Sequence, residues 1–195
     1  MDGMAAGLLL AAGGGTRYGT PKALVERDGR LLVETALETL DECRPQVVVL
    51  GAAAEKVVRR AYLGEALVVV NQQWTSGVAS SLRAGLEALI PTAAEAVVVM
   101  LVDTPGITIE AVRRIAAFEC PQALVSATYG GEPGHPVLLG RDHWGPIIAE
   151  AHGDEGARGY LRRHPRLVRH VPCDDIADGT DLDSPADALV PFQTF

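Results

Sequence analysis

Residues 7–25, GLLLAAGGGTRYGTPKALV, join a short apolar run to a glycine cluster that carries two basic residues. An aliphatic run followed by glycines is typical of a buried strand whose end approaches a phosphate group. Three devices begin in this way: a dinucleotide-binding turn, a P-loop, and a long glycine loop that wraps a triphosphate. The residues that follow the glycines distinguish between them.

The P-loop requires a GK[ST] sequence, but Lys22 follows Pro21 and precedes Ala23. The dinucleotide turn requires GxGxxG opening directly into a helix, whereas here the glycines are spaced differently and Pro21 interrupts any helix. A long glycine loop remains, in which Arg17 and Lys22 neutralise a triphosphate. The other interpretation of these residues is a surface loop with two solvated cations.

The composition indicates one α/β domain that spans residues 1–195. Of the 195 residues, 48% are apolar and only 5% are aromatic, which is typical of aliphatic buried strands. The net charge of −8 argues against a surface that binds nucleic acid or an anionic membrane. The three cysteines have neither disulfide-framework nor zinc-site spacing, and no apolar run is long enough to span a bilayer, so we expect a cytoplasmic protein.

Aliphatic runs alternate with helical patterns along the chain. Strands are predicted at residues 5–10, 46–50, 66–70, 96–102, 123–127 and 167–171. Helices are predicted at residues 32–43, 54–61, 79–89, 109–118 and 146–152. This order predicts a three-layer α/β/α sandwich around a mostly parallel, doubly wound, Rossmann-like sheet. Ligands of such sheets bind at the carboxyl ends of the strands.

Two acidic segments are candidates for metal binding. Asp103 ends the most apolar run, and a carboxylate at that position suits Mg²⁺. The alternative for Asp103 is a helix cap, but Thr108 can supply that cap. Asp181 and Asp183 share one face of an extended segment, ahead of a helix predicted to begin at Ser184. On these residues alone, the second segment is also explained by favourable charge at a helix start.

Six segments, in order, resemble the molybdopterin nucleotidyltransferases, specifically their cytidylyltransferase branch. They are LAAGGGTRYGTPK (10–22), NQQWTSGVASSLRAGL (71–86), VVVMLVDTPGIT (97–108), GHPVLLGR (134–141), GDEGARGYL (153–161) and DLDSPAD (181–187). Six matches in the right order are far more specific than any one motif. Departures from the pattern include Tyr18, Thr104, and Gly15 in place of a small hydroxyl residue.

The resemblance implies transfer of CMP from CTP to the terminal phosphate of molybdopterin, with release of pyrophosphate and Mg²⁺ as cofactor. It implies catalytic roles for Arg17, Lys22 and Asp103, and metal binding by Asp103 and Asp183, with Asp181 in reserve. The implied nucleotide site consists of Leu10, Ala11, Ala12, Gly13, Gly14, Gly15, Arg17, Lys22, Asn71, Gly77 and Ser81. His135, on an expected exposed turn, Asp154 and Arg158 would face the pterin acceptor. A molybdoenzyme or its chaperone is the expected protein partner.

Four alternatives remain open. GTP could replace CTP, although the guanylyl branch tends to have LAGG where this chain has LAAG at residues 10–13. The acceptor could be another phosphorylated compound, such as a sugar phosphate. A non-catalytic nucleotide-binding regulator would have no need for the cations and carboxylates together. A nicotinamide oxidoreductase is the most distant alternative.

Overall fold

The computed structural model describes residues 5–184, and its strands form two sheets. They are β1 (Ala6–Ala11), β2 (Glu26–Arg27), β3 (Arg30–Leu31), β4 (Gln46–Leu50), β5 (Leu67–Val70), β6 (Ala96–Leu101), β7 (Leu124–Tyr129), β8 (Glu132–Gly140) and β9 (Arg169–Pro172). Seven of them form the main sheet in the order β5-β4-β1-β6-β8-β7-β9, while β2 and β3 form a small hairpin. The segment predicted to start a helix lies outside the described residues from residue 185 onward.

The main sheet is parallel except at β8, which is antiparallel to both of its neighbours. This arrangement confirms the predicted mostly parallel sheet. The strand β8 itself is a correction, because Pro133, Gly134 and Pro136 give its first half the composition of a turn. Since β8 runs antiparallel, its first residues lie at the carboxyl ends of β6 and β7.

Within residues 5–184, six α-helices cover the two faces of the sheet: α1 (Leu32–Thr39), α2 (Ala54–Arg60), α3 (Val78–Leu89), α4 (Ile109–Ala116), α5 (Trp144–Glu150) and α6 (Ala157–Arg163). Helices α1, α2 and α4 contribute to one apolar core, and α3, α5 and α6 contribute to the other. Alternate residues of β1 enter opposite cores, with Leu8 and Leu10 on one side and Leu9 and Ala11 on the other. Burial on both faces explains why the run is continuously apolar, and it confirms the three-layer sandwich.

Helix α3 approaches the sheet closely because Gly85 has no side chain. A Cβ atom at Gly85 would lie 2.4 Å from a methyl carbon of Leu8.

Helix α6 is, like strand β8, an element that the hydrophobic periodicity does not predict, since its segment carries few apolar residues. None of the helices within residues 5–184 is both long and apolar enough to cross a membrane.

The chain leaves β1 without entering an α-helix. Residues 12–21 form an irregular loop, a 3₁₀ turn follows at Lys22–Leu24, and the next α-helix begins only at Leu32. A dinucleotide-binding turn places the amino end of a helix directly against the phosphates. The loop after β1 therefore has a different geometry, as the position of Pro21 predicts.

Candidate active site

A cavity of about 750 Å³ opens at the carboxyl ends of β1 and β6. We call it the main cavity. Most of the residues that the sequence assigns to nucleotide and metal binding line it: Leu10, Ala12, Gly13, Gly14, Gly15, Arg17, Lys22, Gly77, Ser81, Asp103 and Asp183. The rest of the lining comes from Thr16, Tyr18, Trp74, Thr75, Val78, Leu101, Val102 and Asp154, of which the resemblance assigns Asp154 to the acceptor. The fold thus collects residues from five of the six motif segments around one space.

The glycine loop closes on itself at Gly15. Its φ of +61° lies in the left-handed region, and its carbonyl accepts a hydrogen bond of 2.7 Å from the amide of Gly19. A Cβ atom at Gly15 would lie 1.9 Å from the carbonyl oxygen of Thr20. Because no side chain fits there, this chain needs glycine where the resembling family carries a small hydroxyl residue.

Trp74 forms a wall over the loop. It is half-buried, and a Cβ atom at Gly14 would lie 3.0 Å from its ring. The same tryptophan packs against Gly51, where a Cβ atom would lie 2.5 Å from the Cβ of Trp74. Its position within the segment at 71–86 is the sequence signal for this role. Leu101 and Val102 also line the cavity, but the sequence predicts them only as residues of a strand.

Two cations and two carboxylates of the main cavity pair with one another. The ammonium of Lys22 lies 2.8 Å from Oδ2 of Asp103 and 3.7 Å from Oδ1 of Asp183. Arg17 lies 3.3 Å from Asp183. The Lys22 and Asp103 side chains are only 15% and 24% exposed, whereas Arg17 and Asp183 are 80% and 54% exposed. The inner pair is therefore shielded from solvent, and the outer pair is screened by it.

The donor set suits a hard divalent cation. The carboxylates of Asp103 and Asp183 both lie near the ammonium of Lys22, so they face one position that can hold a cation. Within residues 5–184, no group of three or more acidic, cysteine or histidine residues could hold a metal without help. Mg²⁺ sites often use one or two carboxylates completed by phosphate oxygens, and this set matches that pattern. Asp181 is close enough that desolvation and then the charge of Asp103 raise its pKa.

Asn71 supports the main cavity from behind rather than lining it. It is buried, and its amide nitrogen donates to the hydroxyls of Ser80, at 2.8 Å, and Ser81, at 3.0 Å. Ser81 and Gly77 do line the cavity. A Cβ atom at Gly77 would lie 2.3 Å from the carbonyl oxygen of Gly153, so α3 begins in tight contact with the 153–158 segment.

Leu10, Ala11 and Ala12 differ in the direction of their side chains. Leu10 and Ala12 line the main cavity and belong to the core under α3, while Ala11 is buried in the opposite core. The carbonyl of Ala12 accepts a hydrogen bond of 2.9 Å from the amide of Ala52. The methyl group of Ala12 is therefore held at the edge of the cavity.

His135 does not lie on an exposed turn, which corrects the expectation from its neighbouring glycine and proline. It is a half-buried residue of β8. The β7–β8 pairing passes from Ser126↔Val137 to Ala127↔Gly134, which leaves His135 in a bulge. Bulges of this kind re-aim side chains beside functional sites. Here the ring of His135 lines a second cavity of about 130 Å³, which we call the small cavity.

The small cavity brings together the three residues that the sequence assigns to the acceptor. Asp154 and Arg158 line it with His135, and Asp154 also lines the main cavity. Leu10, Val78 and Leu101 are likewise shared, so the two cavities have a common wall. His135 and the pair Asp154 and Arg158 lie in different motif segments, and the fold brings them into one cavity.

Residues 7–168 match the MobA-like NTP transferase domain. The chain belongs to this family. It is 39% identical over 188 residues to the nicotine blue oxidoreductase of Paenarthrobacter nicotinovorans, covering 91% of each chain. It is 34% identical over 166 residues to a molybdenum cofactor guanylyltransferase of Cereibacter sphaeroides, covering 81% of each.

The structure of Rv0371C in complex with manganese, from Mycobacterium tuberculosis H37Rv, is similar to this chain with a TM-score of 0.77 and 28% identity. The match covers 94% of this chain and 95% of that one. These similarities confirm the predicted membership of the molybdopterin nucleotidyltransferase family and the predicted α/β fold. The MobA-like domain is a nucleotidyltransferase, and a metal complex is known for a relative of the same fold.

Proposed function

We propose that this MobA-like transferase moves CMP from CTP to the terminal phosphate of molybdopterin and releases pyrophosphate. The observation that supports this most directly is the network of Lys22, Arg17, Asp103 and Asp183 at the carboxyl ends of the strands. Nucleotidyl transfer needs alignment and charge neutralisation more than covalent chemistry. These four side chains can supply both.

The charge balance of the main cavity supports a need for a divalent cation. Two cations, Arg17 and Lys22, line it together with three carboxylates, those of Asp103, Asp154 and Asp183. A bare triphosphate would meet a site with net negative charge, which is unfavourable. We propose that Asp103 and Asp183 hold Mg²⁺, which when bound neutralises phosphate oxygens and polarises the α-phosphate.

The remaining steps belong to the side chains of the chain itself. Arg17 can bind two phosphate oxygens at once, and Lys22 can stabilise the negative charge that develops on the departing pyrophosphate. The attacking phosphate oxygen forms a bond to the α-phosphorus as the bond to the bridging oxygen of the pyrophosphate breaks. Because that phosphate is already ionised, the reaction needs no strong general base.

CTP and GTP are both compatible with the family, and the guanylyltransferase relative of Cereibacter sphaeroides favours GTP. The methyl group of Ala12 at the cavity edge favours the smaller base, because it narrows the slot that a purine would need. We propose CTP on this basis. Because the selection of CTP over GTP rests on the single side chain of Ala12, we expect the enzyme to prefer CTP but still to use GTP.

The direct test is pyrophosphate release from each of the four nucleoside triphosphates, with Mg²⁺, in the presence and absence of molybdenum cofactor. We expect release with CTP that depends on both the metal and the cofactor. Release with GTP alone would change the donor but leave the reaction class in place. A sugar 1-phosphate in place of the cofactor tests the alternative acceptor in the same assay.

A second candidate function comes from the nicotine blue oxidoreductase, which is similar over 91% of the chain. On that similarity the chain would be an oxidoreductase, which is the class of the nicotinamide-dependent alternative that the glycine loop left open. The loop after β1 argues against dinucleotide binding in the usual mode, because no α-helix begins between the end of β1 and Leu32. Titration with NADH decides: quenching or a blue shift of its fluorescence would favour the oxidoreductase, and an unchanged spectrum would exclude it.

A further inference from the structure

The two outer strands of the main sheet, β5 and β9, present different edges to solvent. Along each outer strand, alternate residues direct their backbone N–H and C=O groups towards the neighbouring strand, and the residues between them direct theirs outward. Outward groups of this kind can pair with a strand of another chain. Natural sheets usually prevent such pairing with charged side chains, prolines or groups that cover the edge.

Strand β9 is protected against pairing. The amide of Cys173 donates to the carbonyl of Thr128 in β7, so the residues of β9 whose backbone points outward are His170 and Pro172. Pro172 has no N–H to donate. Its carbonyl already accepts a hydrogen bond of 2.8 Å from Arg114. Pro172 therefore offers a further strand no donor and an acceptor that is in use.

Strand β5 lacks these protections. The amide of Asn71 donates to the carbonyl of Leu50 in β4, at 2.7 Å, so the residues of β5 whose backbone points outward are Val68 and Val70. Among residues 5–184, no hydrogen bond reaches the outward groups of these two valines. The strand itself is LVVV, and neither a charge nor a proline lies between Glu65 and Asn71. This edge is open to pairing.

Exposed apolar side chains are concentrated near the open edge. In the part of the chain that the structure describes, six large hydrophobic residues are exposed, and four of them lie between residues 58 and 70: Val58, Tyr62, Leu67 and Val70. Clustered apolar surface on a water-exposed domain is typical of an interaction site. The local charge also permits two copies to approach, because residues 54–73 contain three basic and two acidic residues although the whole chain carries −8.

We propose that β5 pairs with β5 of a second copy of this chain, antiparallel, so that two seven-stranded sheets become one continuous sheet. The two-fold axis passes between the two Val69 residues. Val68 of one copy then lies opposite Val70 of the other, and their outward N–H and C=O groups bond to each other. This register uses both outward residues of the strand. The proposal concerns assembly and does not depend on the proposed function.

A second copy fits this edge because the strand is complementary to itself. In the proposed register valine meets valine at all three central positions, and β-branched residues pack well across a strand pair. The assembly also closes at two copies. Each copy has one open edge at β5, and Pro172 with Arg114 blocks the edge at β9, so the joined sheet does not extend further.

Single cysteines test the register in the full chain. The exposed Cys120 is first replaced by serine, since Cys43 and Cys173 are buried. In the proposed dimer, Val69 faces its own copy as a non-hydrogen-bonded pair with Cα atoms about 4.5 Å apart, a distance that a disulfide can span. The two Val70 residues are about 8 Å apart, which is too far. We expect mild oxidation to link Val69→Cys into a dimer but not Val70→Cys. Equal linking of the two variants, or none in either, would overturn the proposal.

Sedimentation velocity over a concentration series tests the association itself. We expect a reversible equilibrium between monomer and dimer. Val70→Lys places a charge on the open edge and should raise the dissociation constant of the dimer at least about tenfold. Leu167→Lys is the matched control, because Leu167 is 57% exposed and Val70 is 51% exposed, but Leu167 lies outside the strands. It should leave the dissociation constant unchanged.

Three outcomes of the sedimentation experiment would contradict the proposal. A wild-type chain that stays monomeric at every concentration would leave the open edge to a different protein. Growth beyond a dimer would show that association does not close at β5. Equal weakening of the dimer by Val70→Lys and Leu167→Lys, each with a wild-type melting temperature, would place the contact elsewhere on the surface.

Discussion

The main and small cavities share a wall but differ in how their charged groups are arranged. In the main cavity, Lys22 and Arg17 already pair with Asp103 and Asp183. In the small cavity, the described residues leave Arg158 without a paired carboxylate and His135 without a partner at Nε2. Groups that pair with one another must be separated by a competing ligand, whereas unpaired groups are ready for one.

This difference suits the main cavity and the small cavity to different kinds of ligand. In the main cavity, a ligand must replace both partners of each ion pair. A metal–triphosphate complex does so, because its metal ion binds the carboxylates and its phosphates bind Arg17 and Lys22. The small cavity offers polar groups without a described partner, so it suits a ligand that is recognised by its hydrogen-bond pattern. Substitutions among the paired groups of the main cavity should therefore affect turnover most, and substitutions in the small cavity should affect selectivity.

The largest effect is expected for Asp103. Asp103→Asn removes the shielded carboxylate that lies 2.8 Å from Lys22, and it should reduce kcat on the order of 10³-fold through lost metal binding and misplacement of the lysine. Asp183→Asn, at the exposed end of the network, should cost less, about tenfold. Steady-state pyrophosphate release measures both. Near-normal turnover by a folded Asp103→Asn protein would remove Asp103 from the mechanism.

The second effect separates the geometry of Arg17 from its charge. Arg17→Lys keeps the charge but loses the planar fork that can bind two phosphate oxygens, so kcat/KM should fall about tenfold to hundredfold. Arg59, an exposed arginine that pairs with Glu55 on α2, provides a matched control. Arg59→Lys should leave kcat/KM unchanged. Wild-type activity in Arg17→Lys would show that no bidentate contact forms.

The third effect concerns competition between Lys22 and a metal for the same carboxylates. Without nucleotide, the ammonium of Lys22 neutralises Asp103, so free Mn²⁺ should bind weakly to the wild-type protein. Lys22→Met removes that charge and should tighten Mn²⁺ binding about tenfold, as measured by electron paramagnetic resonance without any turnover. If Mn²⁺ affinity is the same in both proteins, the lysine and the metal do not share a site.

The strands of the sheet are predictable because burial on both faces produces continuous aliphatic runs, as at Gln46–Leu50, where prediction and structure agree. Strand β8 is not, because it is stabilised by pairing on both sides rather than by its own composition. The same limit applies to the site. The residue types at the loop and strand ends are readable from the sequence, but the Lys22–Asp103 contact joins residues 81 positions apart, and the direction of the His135 ring depends on a bulge.

The smallest effect is expected at Ala12, at the edge of the main cavity where we propose that the base lies. Ala12 lines the main cavity, and its carbonyl is fixed by Ala52, so its methyl group cannot move away from a larger ring. The wild-type protein should prefer CTP to GTP in kcat/KM, and Ala12→Gly should reduce that preference by a few-fold, since differences in fit at a pocket wall are worth only about 1–3 kcal/mol. Competition between the two nucleotides in one reaction measures the ratio directly. Gly145→Ala adds a methyl group with no neighbour within 4 Å of the added Cβ, outside both cavities, and is the control for a change of size elsewhere in the chain. A wild-type preference for GTP would refute the cytidylyl assignment and leave the nucleotidyltransferase chemistry of the main cavity untouched.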